Sequence, residues 1–212
     1  MPAYVDVCAI QPPGRENRIA EPLVPYARTL VAMICDAIFP LMNLPYFLFG
    51  HSMGSLLAFE VCRELRRRRL PQPERLFVSA SRPPHIPEPR PLHHLPDDLF
   101  VEELRRFSGT PEAVLRNEEL MRIFIPILRT DFSLEETYVF HDEEPLAVPF
   151  TAYYGTEDTE APRELVRQWS CHTARDFALE EIEGGHFFIQ SEEERLTRHV
   201  RAIVENSAVA HA

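Results

Sequence analysis

The sequence is short of positive charge. Its 212 residues include 22 Lys and Arg against 33 Asp and Glu, a formal net charge of −11. That balance repels a phosphate backbone, so nucleic acid is not expected as a partner. Long apolar runs are missing as well. No stretch approaches the roughly 20 residues that a helix needs to cross a bilayer, and no basic-then-apolar leader opens the chain. The expected place is the cytoplasm, with no membrane partner. Cysteine is sparse: Cys8, Cys35, Cys62 and Cys171 are scattered without metal-ligand spacing. They read as reduced, mostly buried thiols, and neither a metal nor another cofactor is expected. No internal repeat is visible. With 45% hydrophobic residues, the length suffices for one domain with a sizeable core.

Glycine is also scarce, seven in all, yet two of the seven bracket one serine in Phe47-Leu48-Phe49-Gly50-His51-Ser52-Met53-Gly54-Ser55. An apolar, strand-like run ends in G-x-S-x-G, and a helix-forming stretch follows from Met53 to Leu65. The pattern predicts a nucleophile elbow, a strand-to-helix reversal that holds the serine in a strained conformation at the carboxyl end of a strand. A side chain at either Gly50 or Gly54 is expected to collide with that turn. The backbone N–H of Met53, at the amino end of the helix, is placed to hold an oxyanion. In the plainer alternative, Ser52 merely caps the helix.

An acid and a histidine follow in the order that such a serine requires. Phe150 to Gly155 reads as a strand, and Asp158 stands in the loop after it as the acid, with Glu157 a rival and Asp131 a more distant one. Phe177 to Ile182 reads as a further strand, followed by Glu183-Gly184-Gly185-His186-Phe187-Phe188. His186 is the predicted base. The two glycines let its loop come close, and the two phenylalanines wall the imidazole from water.

Elsewhere the chain alternates strand and helix, which indicates a mostly parallel α/β sheet with helices on both faces. Val5 to Ile10 reads as a strand, and Pro25 to Phe39 as a helix with Leu30, Ile34 and Ile38 on one stripe. Arg66 to Arg69 reads as a solvated helix end, or else as a docking patch for an acidic partner. Arg75 to Ala80 is a strand. The proline-rich run from Arg82 to Pro91 then leads into a helical insertion, with helices at Pro96 to Phe107 and at Thr110 to Arg129. Thr110 is the expected cap of the second. Its apolar stripe is read as Leu120, Ile123, Phe124, Ile127 and Leu128, with a kink at Pro126. The insertion would form a lid over Ser52. A last helix starts at Ser191 with Glu194 completing a capping box, and buries Leu196, Val200, Ile203 and Val204. Ala208 to Ala212 reads as a frayed tail. The chain divides into residues 1–81, the first part of the core with the elbow; 82–145, the lid; and 146–212, the rest of the core with the acid and histidine loops.

Taken together, Gln11-Pro12-Pro13-Gly14-Arg15-Glu16, Gly50-His51-Ser52-Met53-Gly54, Pro91-Leu92-His93-His94-Leu95-Pro96, Leu128-Arg129-Thr130-Asp131-Phe132 and Gly184-Gly185-His186-Phe187-Phe188 resemble a type II thioesterase of polyketide and nonribosomal peptide assembly lines. The resemblance runs from about Val5 to about Arg201 and implies an α/β-hydrolase fold. It implies an enzyme that removes stalled or wrongly loaded acyl groups from the phosphopantetheine arms of acyl or peptidyl carrier proteins. Ser52 would be nucleophile, Asp158 acid and His186 base, with Met53 N–H in the oxyanion hole. Asp131 lies in a family motif without a catalytic role. The family also has a strand, a Phe-Pro-x-Ala-Gly-Gly type turn and a helix ahead of the Val5 to Ile10 segment. This chain shows none of them, which implies a start called too late or a truncated product, a gap in the sheet and a missing second oxyanion donor. Two other readings stand beside the thioesterase: a carboxylesterase or lipase of small oxygen esters, and a non-catalytic remnant that binds carrier proteins. A monomer is the expected state.

Overall fold

The computed structural model describes residues 1–107 and 109–210, and for Arg106 and residues 208–210 the backbone alone. Among these residues four strands form one sheet in the order β1 (Phe47–His51), β2 (Arg75–Ser79), β3 (Phe150–Gly155) and β4 (Phe177–Ile182). All three pairings are parallel, so every strand delivers its carboxyl end to the same rim. The side-chain period of two sorts the core into two layers. On one face Leu76, Val78, Phe150 and Ala152 pack against Ala58, Phe59 and Cys62 of α2 (Met53–Arg67), Val166 of the short α6 (Arg163–Val166) and Trp169. On the other, Phe77, Tyr153 and Ile182 pack against Leu196, Val200 and Val204 of α8 (Glu193–Ala210). Helix α1 (Ala27–Ile38) buries its Leu30, Ile34 and Ile38 stripe against α2.

Among the described residues three helices lie between β2 and β3: α3 (Asp97–Phe107), α4 (Glu112–Leu115) and α5 (Glu118–Glu136). They share a small apolar cluster of Leu92, Phe100, Leu104, Leu115 and Met121. The single helix expected from Thr110 to Arg129 is thus two. The break falls at Asn117, whose side chain accepts the N–H of Leu120, whereas Thr110 caps nothing and Pro111 stands at the N-cap of α4. The inward stripe also differs from the expected one. Met121 is buried and Ile125, Leu128 and Phe132 pack beside it, while Leu120, Ile123 and Phe124 face outward. Pro126 lies inside α5, and Thr130 Oγ1 donates to its carbonyl at 2.8 Å.

Val5 to Ile10 is not a strand. Among the described residues no ladder partner stands beside it, and an extended segment without one has no place for its backbone hydrogen bonds. Val5 packs on the α8 side of the core, while Val7 and Ile10 are exposed. Two of the four thiols, Cys35 and Cys62, are buried; Cys8 and Cys171 are exposed. The last helix begins at Glu193 rather than Ser191, because Phe188–Ser191 forms its own single turn, α7. It runs through residues 208–210, and the end of the expected tail, residues 211–212, lies outside the described residues. The arginine run at the end of α2 is met from within the chain. Arg66 and Arg67 pair with Glu143, and Arg68 pairs with Glu64 and Asp36. No helix among the described residues is long and apolar enough to cross a membrane.

Candidate active site

Ser52 lies between β1 and α2 with φ 53° and ψ −126°, a backbone conformation that only tight local packing sustains. Gly50 supplies that packing: a Cβ there would stand 2.1 Å from Gly54 O. Gly54 itself has open space where its Cβ would be, so the expected collision holds for the first glycine and not for the second. Ser52 N–H donates to Ser79 O at 2.8 Å, tying the elbow to β2. Buried Ser55 adds a second tie, since its Oγ lies 2.9 Å from Gly50 O and accepts Ser79 N–H at 3.0 Å. The Ser52 side chain makes no cap bond to its helix.

Its Oγ instead lies 3.0 Å from His186 Nε2, and His186 Nδ1 lies 3.0 Å from Asp158 Oδ2. The elbow, the loop after β3 and the loop after β4 therefore place the three residues predicted from sequence order in one hydrogen-bonded line. The two loops are joined through Thr156 N–H to Ile182 O and Glu157 N–H to Gly184 O, both 2.9 Å. Gly155 allows that approach, because a Cβ on it would meet Gly184 O at 2.5 Å. Asp158 is 4% exposed, whereas the rival Glu157 points to solvent. Burial pushes the Asp158 carboxyl upward, but the hydrogen bond and charge of His186 outweigh it, helped by the N–H groups of Ala161 and Glu160 on Oδ1, and it titrates below the usual range.

Phe187 and Phe107 meet the His186 ring edge-on at 5.2 and 5.6 Å. Phe188 turns instead to His51, which donates or accepts at Ser79 Oγ through Nδ1. Burial, then the neighbouring His186, push His51 down to about 4, so it is neutral at physiological pH. Sequence reasoning gave His51 no role, although it sits inside the G-x-S-x-G motif.

A cavity of about 390 Å³ opens above Ser52, roofed by α3 and α5, with Met53 and Gly54 on its floor. Met53 opens α2, so its N–H has no acceptor within the helix. A larger groove of about 820 Å³ lies between α1, α2 and the end of α5, and Ser52 has no part in it. Asp131 reaches the cavity wall from α5 but is held by Arg15 in two bonds of 2.8 and 2.9 Å, joining two of the sequence motifs across 116 residues. One group among the described residues gathers metal-ligating atoms, namely His85, Cys171 and His172, within 4.8 Å of one another. Its imidazoles use their facing nitrogens on each other at 2.8 Å, and it does not line the cavity at Ser52.

Comparison with known proteins agrees with this architecture. The thioesterase domain family matches residues 1–204. The gramicidin S biosynthesis protein GrsT of Aneurinibacillus migulanus is 40% identical over 189 residues, covering 89% of this chain and 74% of that protein. The structure of RedJ, a thioesterase of the prodiginine pathway in Streptomyces coelicolor, superposes with a TM-score of 0.85 at 36% identity, covering 90% of this chain and 76% of that one. YbtT, a type II thioesterase of the yersiniabactin pathway, gives 0.82 at 31% identity, covering 91% and 79%. The chain belongs to the thioesterase domain family, with the α/β-hydrolase fold of its relatives among the type II thioesterases of nonribosomal peptide and polyketide pathways.

Proposed function

We propose that the protein is an editing thioesterase that hydrolyses stalled or wrong acyl thioesters from the phosphopantetheine arm of acyl or peptidyl carrier proteins. The observation that carries this reading is the line from Ser52 through His186 to Asp158, with both links at 3.0 Å, beneath a cavity roofed by helices. His186, oriented by the Asp158 carboxylate, takes the Ser52 proton as Oγ attacks the thioester carbonyl. Negative charge develops on the carbonyl oxygen, and Met53 N–H, which has no acceptor within its helix, is the donor that stabilises it. The tetrahedral adduct collapses, the C–S bond breaks and the imidazolium returns its proton to the departing thiol. Water then attacks the acyl-serine with His186 again as base, releasing the acid and restoring Ser52. A thiol leaves readily, so general-acid help counts for less than it would with an amide.

The test compares an acyl-loaded carrier protein with an oxygen ester of the same acyl chain. The expected result is a higher kcat/KM for the carrier thioester, lost in Ser52→Ala together with labelling by a fluorophosphonate. Clear preference for the oxygen ester overturns the reading in favour of a carboxylesterase. Carrier binding without any labelling of Ser52 overturns it in favour of a non-catalytic protein.

A further inference from the structure

Five carboxylates line the cavity above Ser52: Glu88, Asp131, Glu135, Glu136 and Glu160. Four of them have partners. Glu88 pairs with Arg82 at 2.7 Å, and Asp131 takes both Arg15 bonds. Glu136 accepts the N–H groups of Leu92 and His93 and the His93 ring, and Glu160 pairs with Arg90. The carboxylate of Glu135 has neither a hydrogen bond nor an ion pair among the described residues. The cation that acts on it, Arg82, has its guanidinium directed at Glu88 and at Glu160 O.

Glu135 lies one helical turn beyond Asp131 and three residues beyond Phe132, so on α5 it shares the stripe that forms the cavity roof. A carboxylate on a cavity wall with no cation bonded to it is a poor feature of an empty site and a good one for a ligand that brings a cation. We propose that Glu135 is a specificity subsite for acyl groups carrying an ammonium group, so that aminoacyl thioesters are selected over alkyl thioesters of the same shape. The inference rests on the thioesterase reading for its substrate and on the cavity alone for its geometry.

Charge agrees with the geometry. Burial pushes the Glu135 carboxyl up to about 7, against the pull of Arg82 and His186. Near neutral pH an arriving ammonium draws it into the ionised form, and an alkyl chain does not. The groups that act on this titration are Arg82, His186, Glu88 and Glu136. A pairing of that kind is a charge-assisted hydrogen bond, which corresponds to about 10- to 100-fold in affinity.

The test uses S-acyl pantetheines in two pairs of matched size: 3-aminopropanoyl against butanoyl, and 2-aminobutanoyl against 2-methylbutanoyl. Affinities are measured by calorimetry on the full chain carrying Ser52→Ala, which does not depend on turnover, and kcat/KM is measured on the unaltered protein. The expected result is preference for the amino member of at least one pair by about tenfold or more, collapsing towards unity in Glu135→Gln. Equal affinities in both pairs, or a preference that Glu135→Gln leaves intact, overturn the subsite. Failure of the unaltered protein to hydrolyse any of the four thioesters counts against the thioesterase reading and leaves the affinity ratios to decide on Glu135.

Discussion

Replacing each glycine of the elbow by alanine should give opposite results. At Gly50 the added methyl would stand 2.1 Å from Gly54 O and 2.5 Å from Ser55 N, about 1.3 and 0.9 Å inside the 3.4 Å where ordinary contact begins. Both obstructing atoms are backbone, so no rotamer change relieves the overlap, and β1 and the first turn of α2 must separate. Overpacking of this kind costs about 3 kcal/mol. A displacement of about 1 Å at the serine should slow acylation by roughly 10²-fold. At Gly54 the methyl enters open space, and loss of a glycine within α2 should be worth about 0.5 to 1 kcal/mol in favour of folding. Urea unfolding midpoints report the first quantity, and the rate of fluorophosphonate labelling of Ser52 reports the second. Equal destabilisation by the two substitutions, or normal labelling of Gly50→Ala, would refute the steric account of the elbow.

Three further outcomes follow from distances and charges in the structure. Asp158→Asn removes the acceptor that orients His186 Nδ1, and kcat should fall by about 10³- to 10⁴-fold, read as burst and steady-state rates on one thioester. Because Glu135 titrates higher in the folded chain than in the unfolded one, it favours folding below about pH 4.5. That contribution is lost as pH rises to about 7, so Glu135→Gln should gain on the unaltered protein by an amount on the order of 3 kcal/mol at pH 8, measured as the difference between their unfolding curves. Arg15 and Asp131 are each about one-fifth exposed and doubly bonded, so a double-mutant cycle with Arg15→Gln and Asp131→Asn should give a coupling of about 1 to 3 kcal/mol. Additive effects would show that the pair ties nothing together.

The parts of the fold that local signals specify were legible in the sequence. Phe150 to Gly155 and Phe177 to Ile182 match β3 and β4, and each gives way to a loop that opens on polar residues, Thr156-Glu157 after β3 and Glu183 after β4. The order of Ser52, Asp158 and His186 along the chain pointed to three loops on one rim, and the parallel pairing brings those loops within hydrogen-bond reach of one another. What failed depended on partners distant in sequence. Val5 to Ile10 has the composition of a strand, but a strand also needs a neighbour. The alternation in Gly50-His51-Ser52-Met53-Gly54 looks symmetrical, yet only Gly50 faces a backbone that it would strike. Asn117 before two glutamates was a readable cap that Thr110 and Pro111 obscured. Glu135 was visible only as one acid among 33. Its distinction is that its neighbours' cations are engaged elsewhere, which no local pattern encodes.

The helical insertion is stapled at its own base. Glu136, at the end of α5, receives Leu92 and His93 from the segment leading into α3, and Arg129 donates to His93 O and Leu95 O and pairs with Asp97. These bonds close the insertion into a loop with a private apolar cluster, so it should open to solvent as one cooperative unit, ahead of the sheet. Amide exchange under native conditions would then show α3 and α5 sharing one opening free energy below that of β2 and β3. For the same reason the insertion is a natural module for grafting: exchanged whole between relatives at Leu92 and Glu136, it carries its own fold into a sheet that keeps the reacting groups.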